Sequence, residues 1–201
     1  MRITGGKAKG IRLEVHQQGV RPATDSMREA LFASLGNAVK NSCCLDLFAG
    51  CGSYGLEALS RGAETITFVE QNHMLIRKLR DNAEKVHNAI RQHPERKDTD
   101  EEGVTDFLAK DALRWQPSKP IFTLIFFDPP YDCATKASEH LAQKLTDWLN
   151  PEQPGHVCLE LPASLPSPDL PGLVFKKQFG KSKGHHPSMR LYEHPVSAVR
   201  K

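Results

Sequence analysis

From Cys43 onward, short apolar runs alternate with stretches whose apolar residues recur every three to four positions. That alternation predicts strands and helices in succession, the pattern of βα units around a parallel sheet. Cys43–Phe48 (CCLDLF) reads as a buried strand running into a glycine-rich turn. Gly55–Arg61 reads as a short helix stopped by Gly62, a residue suited to the left-handed position past a helix end. Thr65–Glu70 (TITFVE) is the second strand, and Leu75, Leu79, Ala83, Val86 and Ile90 mark the inner face of the next helix. Residues 91–103 hold no large apolar side chain and read as a solvated loop. Val104–Leu108 gives a third strand, and Ile121–Phe127 (IFTLIFF) a fourth, strongly apolar one. Ala137, Leu141, Leu145 and Trp148 line one helix face, and His156–Leu161 is the fifth strand. Beyond a proline-rich connection, Leu173–Phe179 and Met189–Glu193 resemble the two strands of a long-looped hairpin. The expected fold is α/β, with a mostly parallel seven-stranded sheet and helices on both faces.

The leading forty residues follow a different pattern. Ile3, Ile11, Leu13 and Val15, with Gly5, Gly6 and Gly10 between them, predict a small strand or hairpin. Ser26-x-x-Glu29 has the spacing of a capping box, and Met27, Leu31, Leu35 and Ala38 supply an apolar stripe behind it. Residues 1–40 are therefore expected to form an extension packed on the sheet of one domain, 41–201.

The net charge of +3 conceals an uneven distribution. Residues 1–28 carry Arg2, Lys7, Lys9, Arg12, Arg21 and Arg28 against Glu14 and Asp25, a balance of +4. Residues 172–201 carry +6 and the middle −7. Basic ends on an acidic body suit a polyanion met at one surface, if folding brings the ends together. The termini of a chain are also commonly solvated and lysine-rich, which explains the same charges without a partner. No apolar run approaches the length of a membrane span, and the N-terminus lacks the apolar core of a secretory signal. Five cysteines without a C-x-x-C pair predict reduced thiols in a cytoplasmic protein, with neither disulfide framework nor zinc. The His185-His186 pair lacks the convergent ligands that a metal needs.

Gly50-Cys51-Gly52-Ser53-Tyr54-Gly55 satisfies G-x-G-x-x-G after a strand, with Glu70 twenty residues beyond Gly50. Read literally, this is a dinucleotide fingerprint. Asp46 argues against the pyrophosphate version, because its carboxylate lies within the strand just before the loop. A negative charge there favours a ligand with a cationic end, such as S-adenosyl-L-methionine, whose carboxylate alone needs the helix N-terminus. Glu70 can accept both ribose hydroxyls, and Asp111 can accept from an adenine amine. Each acid taken separately is also an ordinary loop residue; together they outline a nucleoside clamp.

Asp128-Pro129-Pro130-Tyr131 follows the fourth strand. Two prolines fix φ twice and remove two N–H donors, which makes a rigid corner with outward carbonyls. An acid at its base and a phenol at its rim suit a planar amine that donates two hydrogen bonds while its ring stacks. A turn holding a core tyrosine would use the same residues.

The segment LDLFAGCGSYGLEALSRGA (Leu45–Ala63), with DPPY after the fourth strand, resembles the class I, Rossmann-like S-adenosyl-L-methionine-dependent amino-methyltransferases. RITGGKAKG (Arg2–Gly10), RPATDSMREALF (Arg21–Phe32) and MRLYE (Met189–Glu193) make residues 1–193 similar to the bacterial RsmD family. That family methylates the exocyclic N2 of one guanine in small-subunit ribosomal RNA. The resemblance implies that Asp46, Phe48, Gly50 and Gly52 hold the methionine moiety, Glu70 the ribose, and Asp111 and Ala112 the adenine. Arg21 and Thr24 would lie beside the cofactor, and Asp128, Pro129, Pro130 and Tyr131 would take the target amine. Arg2, Lys7, Lys9, Arg28, Lys181 and Lys183 would face the RNA or the assembling 30S subunit, bound by a monomer. Cys51 departs from the family's common serine, and the charged segment 91–103 is longer than expected. Three other readings use parts of the pattern. A nicotinamide-dependent oxidoreductase satisfies the glycine spacing but leaves DPPY without a role. A DNA or RNA adenine-N6 methyltransferase uses the same corner, and a non-catalytic RNA-binding module could keep the fold.

Overall fold

The computed structural model describes residues 1–15, 24–96, 102–130, 134–181, 184 and 186–195. Its strands are β1 (Cys43–Leu47), β2 (Thr65–Val69), β3 (Val104–Leu108), β4 (Leu124–Phe127), β5 (Gly155–Pro162), β6 (Val174–Gly180) and β7 (Pro187–His194). They form one sheet of order β3-β2-β1-β4-β5-β7-β6. The first five are parallel, and β7 lies antiparallel between β5 and β6. The helices are α1 (Asp25–Leu35), α2 (Gly55–Ser60), α3 (His73–Arg91) and α4 (Ala134–Trp148). The order reverses between β1 and β4, and a ligand crevice is expected outside the carboxyl ends of strands at such a switch point.

Alternation along the strands divides the core in two. Cys44, Phe68, Phe126, Cys158 and Met189 point to one face, where Ile3, Leu13, Met27, Leu31, Leu56 and Leu79 cover them. Leu45, Leu47, Val69, Phe127 and Leu159 point to the other, against Ala137, Leu141, Leu145 and Trp148 of α4. Burial on both faces explains why β1, β4 and β5 read as nearly continuous apolar runs.

The hairpin expected near the N-terminus is present. Ile3 N–H donates to the Ile11 carbonyl and Leu13 N–H to that of Met1, at 2.9 and 3.1 Å. Fully buried Glu57 of α2 anchors it, accepting from Thr4 N at 2.7 Å and from Arg61 Nε at 2.8 Å. Gly62, at φ +94°, closes α2 as expected; Gly62 N–H bonds the Leu59 carbonyl and Ala63 N–H that of Ala58. Several boundaries differ from the sequence pattern, most by a residue or two. The first helix is capped by Thr24, whose hydroxyl accepts from Met27 N, so Ser26 is inside it. A turn of 3-10 helix, Gly36–Val39, follows it. β4 begins at Leu124 because Ile121 is exposed and Phe122 forms a lone parallel bridge with Leu149.

Candidate active site at the carboxyl edge of the sheet

The alternation that buries Cys44, Phe68, Phe126 and Cys158 on one face puts Asp46, Glu70, Asp128 and Glu160 on it too, each two residues further on. Four carboxyl groups from β1, β2, β4 and β5 thus reach the carboxyl edge beside the glycine turn. The sequence reading found three of them. Glu160 was missed because it sits inside an apolar strand, although the same two-residue step marks it.

The glycine turn is tied to these acids. Asp46 Oδ2 accepts from Gly55 N at 2.9 Å, the first amide of α2. That amide is one a pyrophosphate would need, so the loop is built against a dinucleotide. Burial, only partly offset by this bond and reinforced by the nearby Glu70 charge, pushes the Asp46 carboxyl up to about 8. Glu70 accepts from Gly50 N at 3.0 Å with one oxygen and from Asn72 N at 2.8 Å with the other. Each oxygen keeps a lone pair for a hydroxyl donor. Gly50, at φ +55°, has only the Phe48 carbonyl near the place of a Cβ, so a ligand can approach its backbone closely. Gly52, at φ +81°, is required for packing: a Cβ there would lie 2.3 Å from Leu79 Cδ1. Phe48 itself takes a left-handed φ of 58° and sets its ring edge on Phe127 at 5.6 Å between centroids.

Asp111 lies past β3, where Oδ1 accepts from Leu113 N at 2.9 Å and shapes the turn carrying buried Ala112. Asp128 is half-buried at the end of β4, followed by buried Pro129 and exposed Pro130. Burial, then the charges of Glu160 and Asp46, hold its carboxyl well above the ordinary carboxylate range. Tyr54 of the glycine turn stacks on Phe126 at 5.4 Å and donates to Glu160 Oε2 at 2.5 Å. Tyr131, Arg21 and Lys183 lie outside the described residues.

Arg28 is a correction to the expected RNA-facing set. It is fully buried, and its Nη2 donates to the Arg2 carbonyl and to Asp25 Oδ1, so it cannot meet phosphate at the surface. Arg28 lies on the inner face of α1 with Met27, Leu31, Phe32 and Leu35. Arg190, counted among the basic C-terminal charges, is likewise buried, where it donates to the carbonyls of Leu161, Pro162, Leu165 and Ser188. Arg2 and Lys9 are exposed. Lys7 is held by its backbone to the Ser60 carbonyl and lines a cavity with Lys40, Thr65 and Val104, at the strand starts and so away from Asp128. Lys181 does lie at the carboxyl edge. With Thr24, Met27, Phe179 and His186 it borders a cavity of about 400 Å³ between α1 and the β6–β7 hairpin. Among the described residues no group of His, Cys, Asp and Glu could hold a metal, and no helix is long and apolar enough to cross a membrane.

Residues 1–185 match the family model described as conserved hypothetical protein 95. The chain is 32% identical over 196 residues to ribosomal RNA small subunit methyltransferase D of Haemophilus influenzae, covering 96% of this chain and 93% of that protein. The solved structure of yhhF from Escherichia coli superposes with a TM-score of 0.73 at 27% identity, over 98% of this chain and 99% of that one. An RNA methyltransferase of Salinibacter ruber, in complex with S-adenosyl-L-homocysteine, shares the fold at a TM-score of 0.56 and 14% identity, over 90% and 98% of the two chains.

Proposed function

The chain belongs to the conserved hypothetical protein 95 family, the RsmD family, and on that premise we propose that it is a ribosomal RNA methyltransferase. It transfers a methyl group from S-adenosyl-L-methionine to the exocyclic N2 amine of a guanine in small-subunit ribosomal RNA. The observation that carries this reading is the row of acids on one sheet face, Asp46, Glu70 and Asp128, converging on a glycine turn beside Pro129-Pro130.

The residues present fit the cofactor. Burial raises the Asp46 and Asp128 carboxyls, and a ligand carrying an ammonium and a sulfonium relieves the cost of ionising them beside Glu160. Asp46 and the Gly50–Gly52 backbone would hold the methionine end, Glu70 the ribose, and Asp111 with Ala112 the adenine. When bound, the cofactor supplies a methyl group activated by its positively charged sulfur.

The chain's own task is to present the amine. An exocyclic amine is a poor nucleophile because its lone pair is delocalised into the ring. Asp128 and the Pro129 carbonyl would accept its two N–H bonds and aim the lone pair at the methyl group, while Tyr131 stacks on the base. Positioning of this kind lowers barriers by up to ~7–11 kcal/mol and needs no strong base. Arg2, Lys9, Lys181 and Lys183 would meet RNA phosphates, and the cavity beside Lys181 opens on the same edge as Asp128. The substrate is the free RNA or the assembling 30S subunit, and the enzyme works as a cytoplasmic monomer.

Asp128→Ala is expected to abolish methyl transfer to small-subunit ribosomal RNA while calorimetric cofactor binding persists. Equal loss of both would remove Asp128 from the role of amine acceptor. Nucleoside mass spectrometry of ribosomal RNA from cells with and without the gene should show loss of one N2-methylguanosine; loss of an N6-methyladenosine instead would overturn the substrate.

A further inference from the structure

Tyr54 and Glu160 lie between the cofactor turn and the amine corner, and the reading above gives them no part. Phe127 pairs with Leu159, so Asp128 and Glu160 follow as neighbours on adjacent parallel strands, about 5 Å apart along the sheet. Both point to the same face. Glu160 is 1% exposed and Tyr54 2%. The Tyr54 hydroxyl donates to Glu160 at 2.5 Å, and its ring is stacked on Phe126, the residue two before Asp128. One side chain therefore spans from the glycine turn, across β4, to the strand beyond it.

We propose that Glu160, held by Tyr54, is a positioning residue for methyl transfer: it shares the site's buried negative charge with Asp128 and decides when that carboxylate is free to accept the target amine.

The groups around Asp128 define the balance. Glu160 faces it from β5 and Asp46 from β1, both acidic. Tyr54 and Cys51 face it from the glycine turn, and burial holds both in their neutral forms, with their pKa values raised. The buried guanidinium of Arg28 comes from α1, where Asp25 already engages it. Carboxyls so placed raise one another's pKa values, and a cationic ligand favours their ionised forms. The phenol donates to Glu160, whose charge stands first after burial among the causes that raise the Asp128 carboxyl. Asp128 is left as the member that keeps a proton until a cationic ligand arrives. On that arrival the proton passes to solvent, and the Asp128 carboxylate becomes the strong acceptor that the amine requires. The inference rests on the cofactor and amine roles proposed above and adds to them the residue that times the change.

The test compares wild type, Glu160→Gln and Tyr54→Phe. Glutamine keeps an oxygen to accept from Tyr54 but removes the charge beside Asp128. The acidic limb of the pH profile of kcat for methyl transfer should move about one pH unit lower in Glu160→Gln, and by less in Tyr54→Phe. Calorimetry with S-adenosyl-L-methionine, in buffers of different ionisation enthalpy, should show proton release on binding to wild type and reduced release in Glu160→Gln. A limb that stays in place while kcat falls equally at every pH, with unchanged proton release, makes Glu160 a packing residue and overturns the proposal. Should wild type fail to methylate small-subunit ribosomal RNA yet release a proton in a Glu160-dependent way, the substrate reading falls and this inference stands.

Discussion

Asp46→Asn isolates the charge stored beneath the cofactor turn. In the fold the Asp46 carboxyl is pushed up from 3.8 to about 8, chiefly by burial. Below about pH 4 both folded and unfolded chains hold the proton, and folding carries no penalty from it. As pH rises the unfolded chain ionises first, so stability is lost at about 1.4 kcal/mol per pH unit until the folded group ionises near pH 8. Across the whole window that amounts to at most about 6 kcal/mol, a large share of a domain's ~5–15 kcal/mol. Asparagine is close in shape to the protonated acid and keeps an oxygen for the Gly55 amide. The ligand-free variant should therefore unfold in urea with a midpoint that falls less steeply between pH 5 and 8. With an m-value of about 3 kcal/mol/M, the difference is ~0.5 M per pH unit. Other titrating groups are common to both proteins and cancel in the comparison. At pH 7.5 the variant should be the more stable protein and the weaker binder of S-adenosyl-L-methionine, having lost the charge that meets the ligand's cation. Parallel midpoint curves would refute the argument and show that Asp46 ionises as easily folded as unfolded.

Two further outcomes follow from the geometry. Gly52→Ala combines a φ of +81° with a Cβ 2.3 Å from Leu79 Cδ1, so it should lower the melting temperature and abolish calorimetric cofactor binding, whereas wild-type behaviour would mean the turn can move. Arg190→Met removes the donor to four carbonyls around residues 161–165 and 188, and should cost about 3 kcal/mol in urea unfolding; an unchanged midpoint would show that water replaces it.

The middle of the sheet was legible because β1, β4 and β5 are buried on both faces, and runs such as Leu124–Phe127 leave little choice of structure. The turn chemistry was legible too, since Gly50, Gly52 and Gly62 take the positive φ that glycine accepts readily. What escaped depended on who packs against whom. Arg28 sits in a helix whose stripe of Met27, Leu31 and Leu35 gives no sign that an arginine lies among them. Its burial follows from the hairpin carbonyl of Arg2 and from Asp25, partners that only the folded chain supplies. Charge counting failed at Arg28 and Arg190 for the same reason: it treats every cation as solvated. The helix start shifted by two residues because Thr24 and Ser26 are both competent caps, and in the fold it is the Thr24 hydroxyl that accepts from Met27 N.

The hairpin at the start of the chain has a consequence for how the molecule comes together. Thr4 is fastened to Glu57, 53 residues later, and Glu14 to Asn82, 68 residues later, while Asn82 also grips the Cys51 carbonyl in the glycine turn. This segment, which precedes α2 and α3 in the chain, must wait for them before it has anything to rest on. Mutations that slow its docking should therefore be felt as late-folding defects in ligand capture, even though they alter no residue that touches the ligand.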